Sequence, residues 1–339
     1  HMDDGVDNTA IGYDAMTSAG AGGNDGANNV AVGHSALKAV TDGDNNVAIG
    51  CQAMTVATTA PGNVAIGKSA LGAVNTGDYN TAVGYQAGDA LTTGSANVAI
   101  GYEALGAEDV GQYTVAIGSE AGNSQNTAST GDPQNVMVGN SVGRYNVTGT
   151  SNTYIGSKAG LGVSTNSNSS NTGVGANALK SITTGGTNTV VGSTAGEDMT
   201  SGSSNVLMGS EAGHALTSAT NNVAIGTSAL DRMTGAPANN VAIGGAAMHG
   251  NLTNVAITGC VAIGHEALEG TLTTGANYSV AIGKEALKGL TSGAGNVAIG
   301  YQCGDSLTTG VSNTFIGYQS GSAVTNNNNN TYVGYNSGL

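Results

Sequence analysis

The chain has 339 residues, of which 57 are glycine and only one, Phe315, is phenylalanine, and it contains no tryptophan. Aromatic side chains normally dominate buried cores, so this composition excludes an ordinary globular core and leaves Ala, Val, Ile and Leu to fill a narrow interior. The 22 acidic and eight basic residues give a net charge of −14. Nucleic acids and anionic membranes are therefore disfavoured as partners, because both require clustered Lys and Arg.

Residues 1–7 precede the repeats described below. His1-Met2 is expected to be a cloning remnant, and the rest of this segment a short lead-in. Residues 8–339 are predicted to form a single repeat domain, and because the repeats reach both ends, we expect an excised piece of a longer protein. No run of about 18 apolar residues occurs, so no membrane insertion is predicted.

A five-residue motif, Asn-(Val/Thr)-Ala-(Ile/Val)-Gly, recurs along the chain. Twelve of the eighteen intervals between its glycines are 17 residues long. The other intervals have 18 to 21 residues and are interpreted as loop insertions, the longest of which contain Gly20 to Gly23 and Thr130 to Pro133. The glycines that close the motif are residues 12, 33, 50, 67, 84, 101, 118, 139, 156, 175, 192, 209, 226, 244, 264, 283, 300, 317 and 334.

Each motif predicts a short β-strand. In Asn97 to Gly101, Val98 and Ile100 should project to one face of the strand, and Asn97 and Ala99 to the other. The residue before the glycine is Ile or Val in eighteen of nineteen copies, Met208 being the exception. This column is predicted to be buried, with Ile49, Ile66, Val83, Ile100, Ile117, Ile225 and Ile299 as its representatives.

The residue four positions before the glycine is Asn in sixteen copies. Stacked amides can hydrogen-bond from coil to coil, which favours a parallel, in-register stack. The predicted ladder includes Asn29, Asn46, Asn63, Asn80, Asn97, Asn188, Asn205 and Asn222. A second short strand is predicted at segments such as Leu91 to Gly94 and Leu307 to Gly310, with each Leu pointing inward.

A 17-residue unit is too short for a strand, a crossover helix and a second strand, since the crossover alone needs a dozen residues. One unit is therefore one turn of a solenoid. The predicted fold is an all-β, parallel β-solenoid of about nineteen coils, roughly 90 Å long at about 4.8 Å per coil. Each slender coil offers two apolar surfaces, one of which could be buried between chains, so a homotrimer is expected.

The segments Asn97 to Leu105 and Asn80 to Gly88 resemble the YadA-like head repeats of trimeric autotransporter adhesins. They are also similar to repeats of phage tail-fibre proteins that carry endosialidase-type chaperone domains. The resemblance implies a left-handed β-roll, in which three chains hold a host-binding tip away from a cell surface or virion. The period is longer than in the adhesin heads, and no stalk, anchor or chaperone segment is present in the sequence.

Four glutamates stand two residues after the motif glycine on adjacent repeats, as the pairs Glu103 with Glu120 and Glu266 with Glu285. Stacked carboxylates could bind Ca²⁺, although the alternative of carboxylates spread into water is favoured because no Asp-rich calcium signature accompanies them. Glutamates that recur at the same position of many repeats indicate a surface feature and not a single catalytic pair. No enzyme activity and no other cofactor are therefore predicted.

Other sequence signals have structural explanations. Gly62 to Ser69 satisfies the phosphate-binding G-x-x-x-x-G-K-[ST] pattern, but the repeat leaves no room for the helix that this site needs. His34 and His265 lie too many coils apart to share a metal, and His214 and His249 are equally scattered. Cys51, Cys260 and Cys303 lie too far apart for a disulfide, and Cys303 replaces an inward-facing alanine.

Threonine recurs eight residues after the motif glycine. An ice-binding surface would require such an array, but the preference of threonine for β-strands and hydroxyl pairing between coils would also explain it. This column contains residues 41, 58, 92, 183, 200, 217, 234, 291, 308 and 325.

The function expected from the sequence is a non-enzymatic structural or adhesive fibre segment, extracellular, on a cell surface or on a virion. Its expected partners are its own copies and a host-surface glycan or matrix protein. The alternative is a monomeric ligand-binding or ice-binding solenoid.

Overall fold

The computed structural model describes residues 6–17, 25–127, 132–163, 166–250 and 255–339. His1-Met2, Gly20 to Gly23 and Thr130-Gly131 lie outside the described residues. The chain divides into two compact units, His1–Ser170 (unit 1) and Asn171–Leu339 (unit 2). The prediction of an all-β fold is confirmed, since the elements formed by the described residues are nineteen three-residue strands and one 3-10 turn, Thr274–Ala276.

Every strand coincides with one copy of the motif. Unit 1 contains β1 (Thr9–Ile11), β2 (Val30–Val32), β3 (Val47–Ile49), β4 (Val64–Ile66), β5 (Thr81–Val83), β6 (Val98–Ile100), β7 (Val115–Ile117), β8 (Val136–Val138) and β9 (Thr153–Ile155). Unit 2 contains β10 (Thr172–Val174), β11 (Thr189–Val191), β12 (Val206–Met208), β13 (Val223–Ile225), β14 (Val241–Ile243), β15 (Val261–Ile263), β16 (Val280–Ile282), β17 (Val297–Ile299), β18 (Thr314–Ile316) and β19 (Thr331–Val333).

Within each unit, consecutive strands pair in parallel and in register, so one repeat makes one coil of a β-solenoid. In unit 1, Ala82 lies beside Ala99, and in unit 2 Ala281 lies beside Ala298. The insertions do not change this register, because β7 and β8 still pair through Ile117 and Val138. No helix among the described residues is long and apolar enough to cross a membrane.

The prediction of which strand face is buried is wrong for the single chain. Ala99 is 1% exposed, whereas Val98 and Ile100 are both only half-buried. In the predicted column, Ile49, Ile66, Ile225 and Ile299 are each 37% exposed, and Val83 and Ile117 are half-buried. The coil interior is narrow, so the inward strand positions hold alanine and asparagine, and the branched side chains take the outer face.

The asparagines form a buried ladder in which the main partner is the backbone. In unit 1, the Oδ1 of Asn29 accepts a hydrogen bond from the N–H of Asn46 at 2.8 Å, and Asn46 Nδ2 donates to the carbonyl of Ala60 at 2.8 Å. In unit 2, an amide-to-amide bond is added, since Asn205 Nδ2 also donates to Asn188 Oδ1 at 3.0 Å. The predicted ladder residues are all buried, so these bonds satisfy polar groups that would otherwise be costly.

The second predicted strand in each repeat is wrong, although its leucine is inward as predicted. Leu91 and Leu307 are fully buried, but residues 92–93 and 308–309 form bends and neither segment contains a strand. The reason is the hydrogen bonding of the segment that follows this leucine, where the coil turns a corner. The N–H groups of Asn75, Thr76 and Gly77 all approach one carbonyl, that of Thr92, at 2.9 to 3.3 Å, where a strand would use separate acceptors.

The motif glycine is required by the distance between coils. Gly50 has φ +137°, and a Cβ placed on it would lie 2.5 Å from the carbonyl oxygen of Gly67 on the next coil. No other residue type combines this backbone conformation with this close approach. The column therefore sets how closely successive coils stack.

Side-chain sizes in the interior are complementary. Most strands have alanine at the inward position two residues before the glycine, and a leucine or methionine four residues after a glycine fills the remaining space. Where the inward residue is large, that second position is glycine on both flanking coils, as for Phe315 between Gly304 and Gly321. Leu207 lies in the same way between Gly196 and Gly213. The inward strand residue and the residues four positions after the flanking glycines thus share one interior space, so that a larger residue at one position is matched by a smaller one at the other.

Alanine substitutions at two motif glycines can distinguish the cost of the contact between coils from the cost of backbone strain. Gly50→Ala meets the Gly67 carbonyl, whereas Gly334→Ala has a similar φ, +129°, and nothing within 4 Å. Overpacking costs about 1–3 kcal/mol, so Gly50→Ala should destabilise the protein by roughly 2 kcal/mol more than Gly334→Ala. Urea denaturation followed by circular dichroism measures the difference. Equal losses would contradict a close approach between coils.

The complementarity of sizes predicts a rescue. Phe315→Ala should cost about 3–5 kcal/mol by opening a cavity, and Gly304→Leu alone should clash with the Phe315 ring. The double variant should recover at least half of the loss, because Leu287 already adopts φ +50° at the equivalent position of the preceding coil. Denaturation midpoints test this, and additive losses would refute the shared volume.

Candidate functional surface

The outer face of each strand row carries an aliphatic stripe. It consists of the Val or Thr three residues before the glycine and the Ile or Val directly before it, which is replaced by Met208 on one coil. In unit 1 the stripe follows β1 to β9, with Ile49, Ile66 and Ile155 at 37 to 41% exposure. In unit 2 it follows β10 to β19. Soluble monomers rarely expose continuous apolar patches of this kind, so the stripe is a candidate interface.

Exposed tyrosines border the stripe, directly after the motif glycine. In unit 1, the rings of Tyr85 and Tyr102 stack with centroids 5.6 Å apart. In unit 2, Tyr318 stacks on Tyr301 at 5.1 Å and on Tyr335 at 5.3 Å. The exposed rings therefore stack from coil to coil beside the stripe.

The four predicted glutamates are half-buried, and each of them has a partner, which for Glu103 is the hydroxyl group of Tyr102. Glu120 forms an ion pair with Arg144 at 2.7 Å, and Glu266 forms one with Lys288 at 2.6 Å. Glu285 accepts a hydrogen bond from Gln302 Nε2 at 2.6 Å. Among the described residues, no cluster of three or more His, Cys, Asp or Glu could hold a metal ion. These contacts give no support to a calcium site at either glutamate pair.

Glu103 lines a groove of 460 Å³ in unit 1 together with Gln86, Asp89 and Asn123. The groove exists because Gly106 has no side chain at a position where the neighbouring coils carry Asp89 and Asn123. Burial raises the pKa of Asp89, and the charge of Glu103 adds to this, while the hydrogen bond from Gln86 opposes it. The groove is therefore a polar, acidic break in an otherwise repetitive surface.

Unit 2 has a column of ionisable residues five positions after the motif glycine. Lys180 pairs with Glu197 at 2.7 Å, and His214 lies between Glu197 at 3.8 Å and Asp231 at 3.7 Å. His249 continues the column on the far side of Asp231, also at 3.7 Å. The histidines are therefore organised by the coils, which their spacing in the sequence did not predict.

The hydroxyl groups of the half-buried threonine column form hydrogen bonds between coils. Thr183 Oγ1 donates to the carbonyl of Thr200 at 2.9 Å, and Thr200 Oγ1 donates in turn to that of Thr217 at 3.2 Å. Thr291 and Thr308 make the same bond to the next coil at 2.8 Å. These hydroxyl hydrogens are engaged between coils, which agrees with the structural explanation of the column.

The remaining sequence signals are structural. Residues 64–66 of the phosphate-loop match form β4, and turns follow them with no helix up to residue 83. The three cysteines are free, as expected. Cys303 is buried, and this burial raises the pKa of its thiol to about 11.

The sequence did not predict one buried acidic residue. Glu108 is fully buried and accepts hydrogen bonds from the N–H of Gly111, from Gln125 Nε2 and from Thr127 Oγ1, at 2.9 to 3.1 Å. Gln125 also donates to Thr114, which interrupts the asparagine ladder. The available signal was an acid seven residues after the glycine, where most coils carry an aliphatic residue.

No protein-family model and no curated protein matches the chain.

The Glu266 ion pair can be tested by titration. The hydrogen bond from Lys288 holds the pKa of Glu266 below its ordinary value of 4.5, so the pair is intact above that value and is lost as the pH falls through the lowered pKa. Lys288→Met should raise the pKa of Glu266, as measured by carboxyl ¹³C chemical shifts. Lys180→Met, which removes a different ion pair of unit 2, should leave it unchanged. An unmoved pKa in Lys288→Met would show that the pair does not form in solution.

Proposed function

We propose that the protein is a non-enzymatic structural or adhesive fibre segment. Its copies associate as a homotrimer, and the segment acts as a spacer that presents a surface to a host glycan or matrix protein. It works outside the cell, on a cell surface or on a virion. The observation that carries this proposal is the aliphatic stripe, which recurs on every coil of both units and is left uncovered in the single chain.

Burial of the stripe between chains is supported by its composition. Ile66 and Ile225 are each 37% exposed although they stand in parallel strands, whose two faces are normally both covered. A coil whose interior holds only alanine, asparagine and one or two larger side chains cannot take these residues inside. Contact with further copies removes them from water at about 25 cal/mol per Å² of apolar surface.

The resemblance to YadA-like head repeats and to phage tail-fibre repeats supports the same proposal. It rests on the motif Asn-Val-Ala-Ile-Gly-Tyr-Glu-Ala-Leu at residues 97–105. Those repeats belong to trimeric fibres that hold a binding tip away from a surface.

A non-enzymatic role is supported by the way polar residues are distributed. The glutamates, threonines and tyrosines recur in columns, and each column has coil-to-coil partners of its own. Ice binding, the alternative function, gains no support from the threonines, because their hydroxyl groups donate to carbonyls of the next coil.

The trimer is tested by the mass of the protein in solution. Light scattering should give about three times the 32.8 kDa chain mass at micromolar concentration. Ile49→Glu with Ile66→Glu should reduce it to the monomer mass, because charges cannot be buried in the apolar contact. Val56→Glu is the control, since Val56 is 44% exposed but lies outside the stripe. A monomeric wild-type protein would refute the trimer.

The adhesive role is tested separately on the full chain. Immobilised protein should retain at least one ligand from panels of glycans and extracellular matrix proteins, and the monomeric variant should retain it less well because it presents fewer copies. A trimer that binds no member of either panel would reduce the role to that of a spacer.

A further inference from the structure

The geometry points to a site of oxidative cross-linking in unit 2, where the rings of Tyr301, Tyr318 and Tyr335 form a ladder on three consecutive coils. The reagent that this site requires is a one-electron oxidant, such as a haem peroxidase supplied with hydrogen peroxide. The product is a covalent dityrosine link between neighbouring coils. This inference does not depend on the proposed fibre role.

The backbone holds the three tyrosines one above another. The strands β17, β18 and β19 pair in parallel and in register. Beside the ladder, the N–H of Gln319 donates to the carbonyl of Tyr301 at 2.9 Å, and the N–H of Asn336 donates to that of Tyr318 at 2.9 Å. The main chains of neighbouring tyrosines are therefore held one coil spacing apart, about 4.8 Å.

The rings follow the spacing of the backbone and are open to solvent. The ring centroids of Tyr301 and Tyr318 are 5.1 Å apart, and those of Tyr318 and Tyr335 are 5.3 Å apart, with angles of 17° and 14° between the ring planes. The three residues are 36, 44 and 75% exposed, in chain order. An oxidant can therefore reach each ring, and the exposed side chains have room to rotate until two ring edges meet.

The coupling proceeds through two tyrosyl radicals. Each phenol gives one electron to the oxidant and its hydroxyl proton to solvent. The radicals join through the ring carbons ortho to the oxygens, and each of these carbons then loses its hydrogen as a proton while its own ring oxygen regains one. The pair loses two electrons and two protons in total, which reduce one hydrogen peroxide to two waters. Because neighbouring rings need no diffusional encounter, coupling within the ladder is faster than coupling between separate chains.

Unit 1 contains a shorter stack of the same kind. The rings of Tyr85 and Tyr102 are 5.6 Å apart and 9° from parallel, and the Tyr102 hydroxyl donates to the carboxylate of Glu103, which can accept the phenolic proton. Tyr79 and Tyr278 differ from these residues, since they are 67% and 65% exposed but stack on no other ring of the described residues. Exposure and stacking can therefore be separated within one chain.

The test is treatment of the full chain with a haem peroxidase and hydrogen peroxide, followed by denaturation, thermolysin digestion and mass spectrometry. Thermolysin cleaves before aliphatic residues and so separates the three tyrosines of the ladder. Peptides that join Tyr318 to Tyr301 or to Tyr335 should appear, each lighter by two hydrogen atoms than the sum of its two parts. Links spread over all exposed tyrosines, or the absence of dityrosine, would overturn the assignment.

Conservative variants show whether stacking or exposure decides the reaction. Tyr318→Phe keeps the ring but removes the phenol from both contacts of the ladder, so dityrosine fluorescence should fall to the part contributed by Tyr85 and Tyr102. Tyr278→Phe is the matched control and should leave the yield unchanged. On a denaturing gel, the oxidised wild-type protein should migrate as a single chain. Equal yields in the two variants, or links mainly between chains, would refute the ladder as the site.

Discussion

The close stacking of the coils at the motif glycine is the constraint on which the structure depends. The N–H of Gly50 donates to the carbonyl of Val32 at 2.8 Å, and a Cβ on Gly50 would overlap the next coil. A side chain in this column would force the coils apart and break the strand pairing beside it. Because the glycines stack closely, each other position of the repeat lies directly on the equivalent position of the next coil. Equivalent residues therefore form columns along the solenoid.

The interior is explained by this stacking. Columns at about 4.8 Å spacing leave room for alanine on the strand and for one larger side chain at the corner. A large strand residue such as Phe315 is accommodated because both flanking corners are glycine. The buried asparagines replace apolar packing with hydrogen bonds to the backbone of the next coil, and these bonds hold the register. Where Thr114 interrupts the ladder, Gln125 and Glu108 supply the missing polar partners.

Because the columns are so regular, a local binding site is expected only at coils whose residues differ from the repeat. A residue type repeated on every coil makes a uniform face, such as the aliphatic stripe, which suits an extended contact with another copy. A local ligand needs a break in the columns. Gly106 and Gly245 provide such breaks, and each opens a groove lined by side chains that the columns had brought together. We therefore propose that the extended face serves assembly.

The sequence alone determined the motif strands and their parallel register, because the glycine period is longer and stricter than any local propensity. It also predicted a second strand in each repeat, where the structure has a bend. It also determined that the asparagines lie in one column. Only the tertiary structure decided which face of each strand is inside, since alternation defines two faces but does not say which is buried. The branched residues were the obvious choice, but the coil is too narrow for them. The contact of His214 with Asp231 at 3.7 Å was likewise decided by stacking, because residues on adjacent coils meet according to column and coil, whatever their separation in the chain.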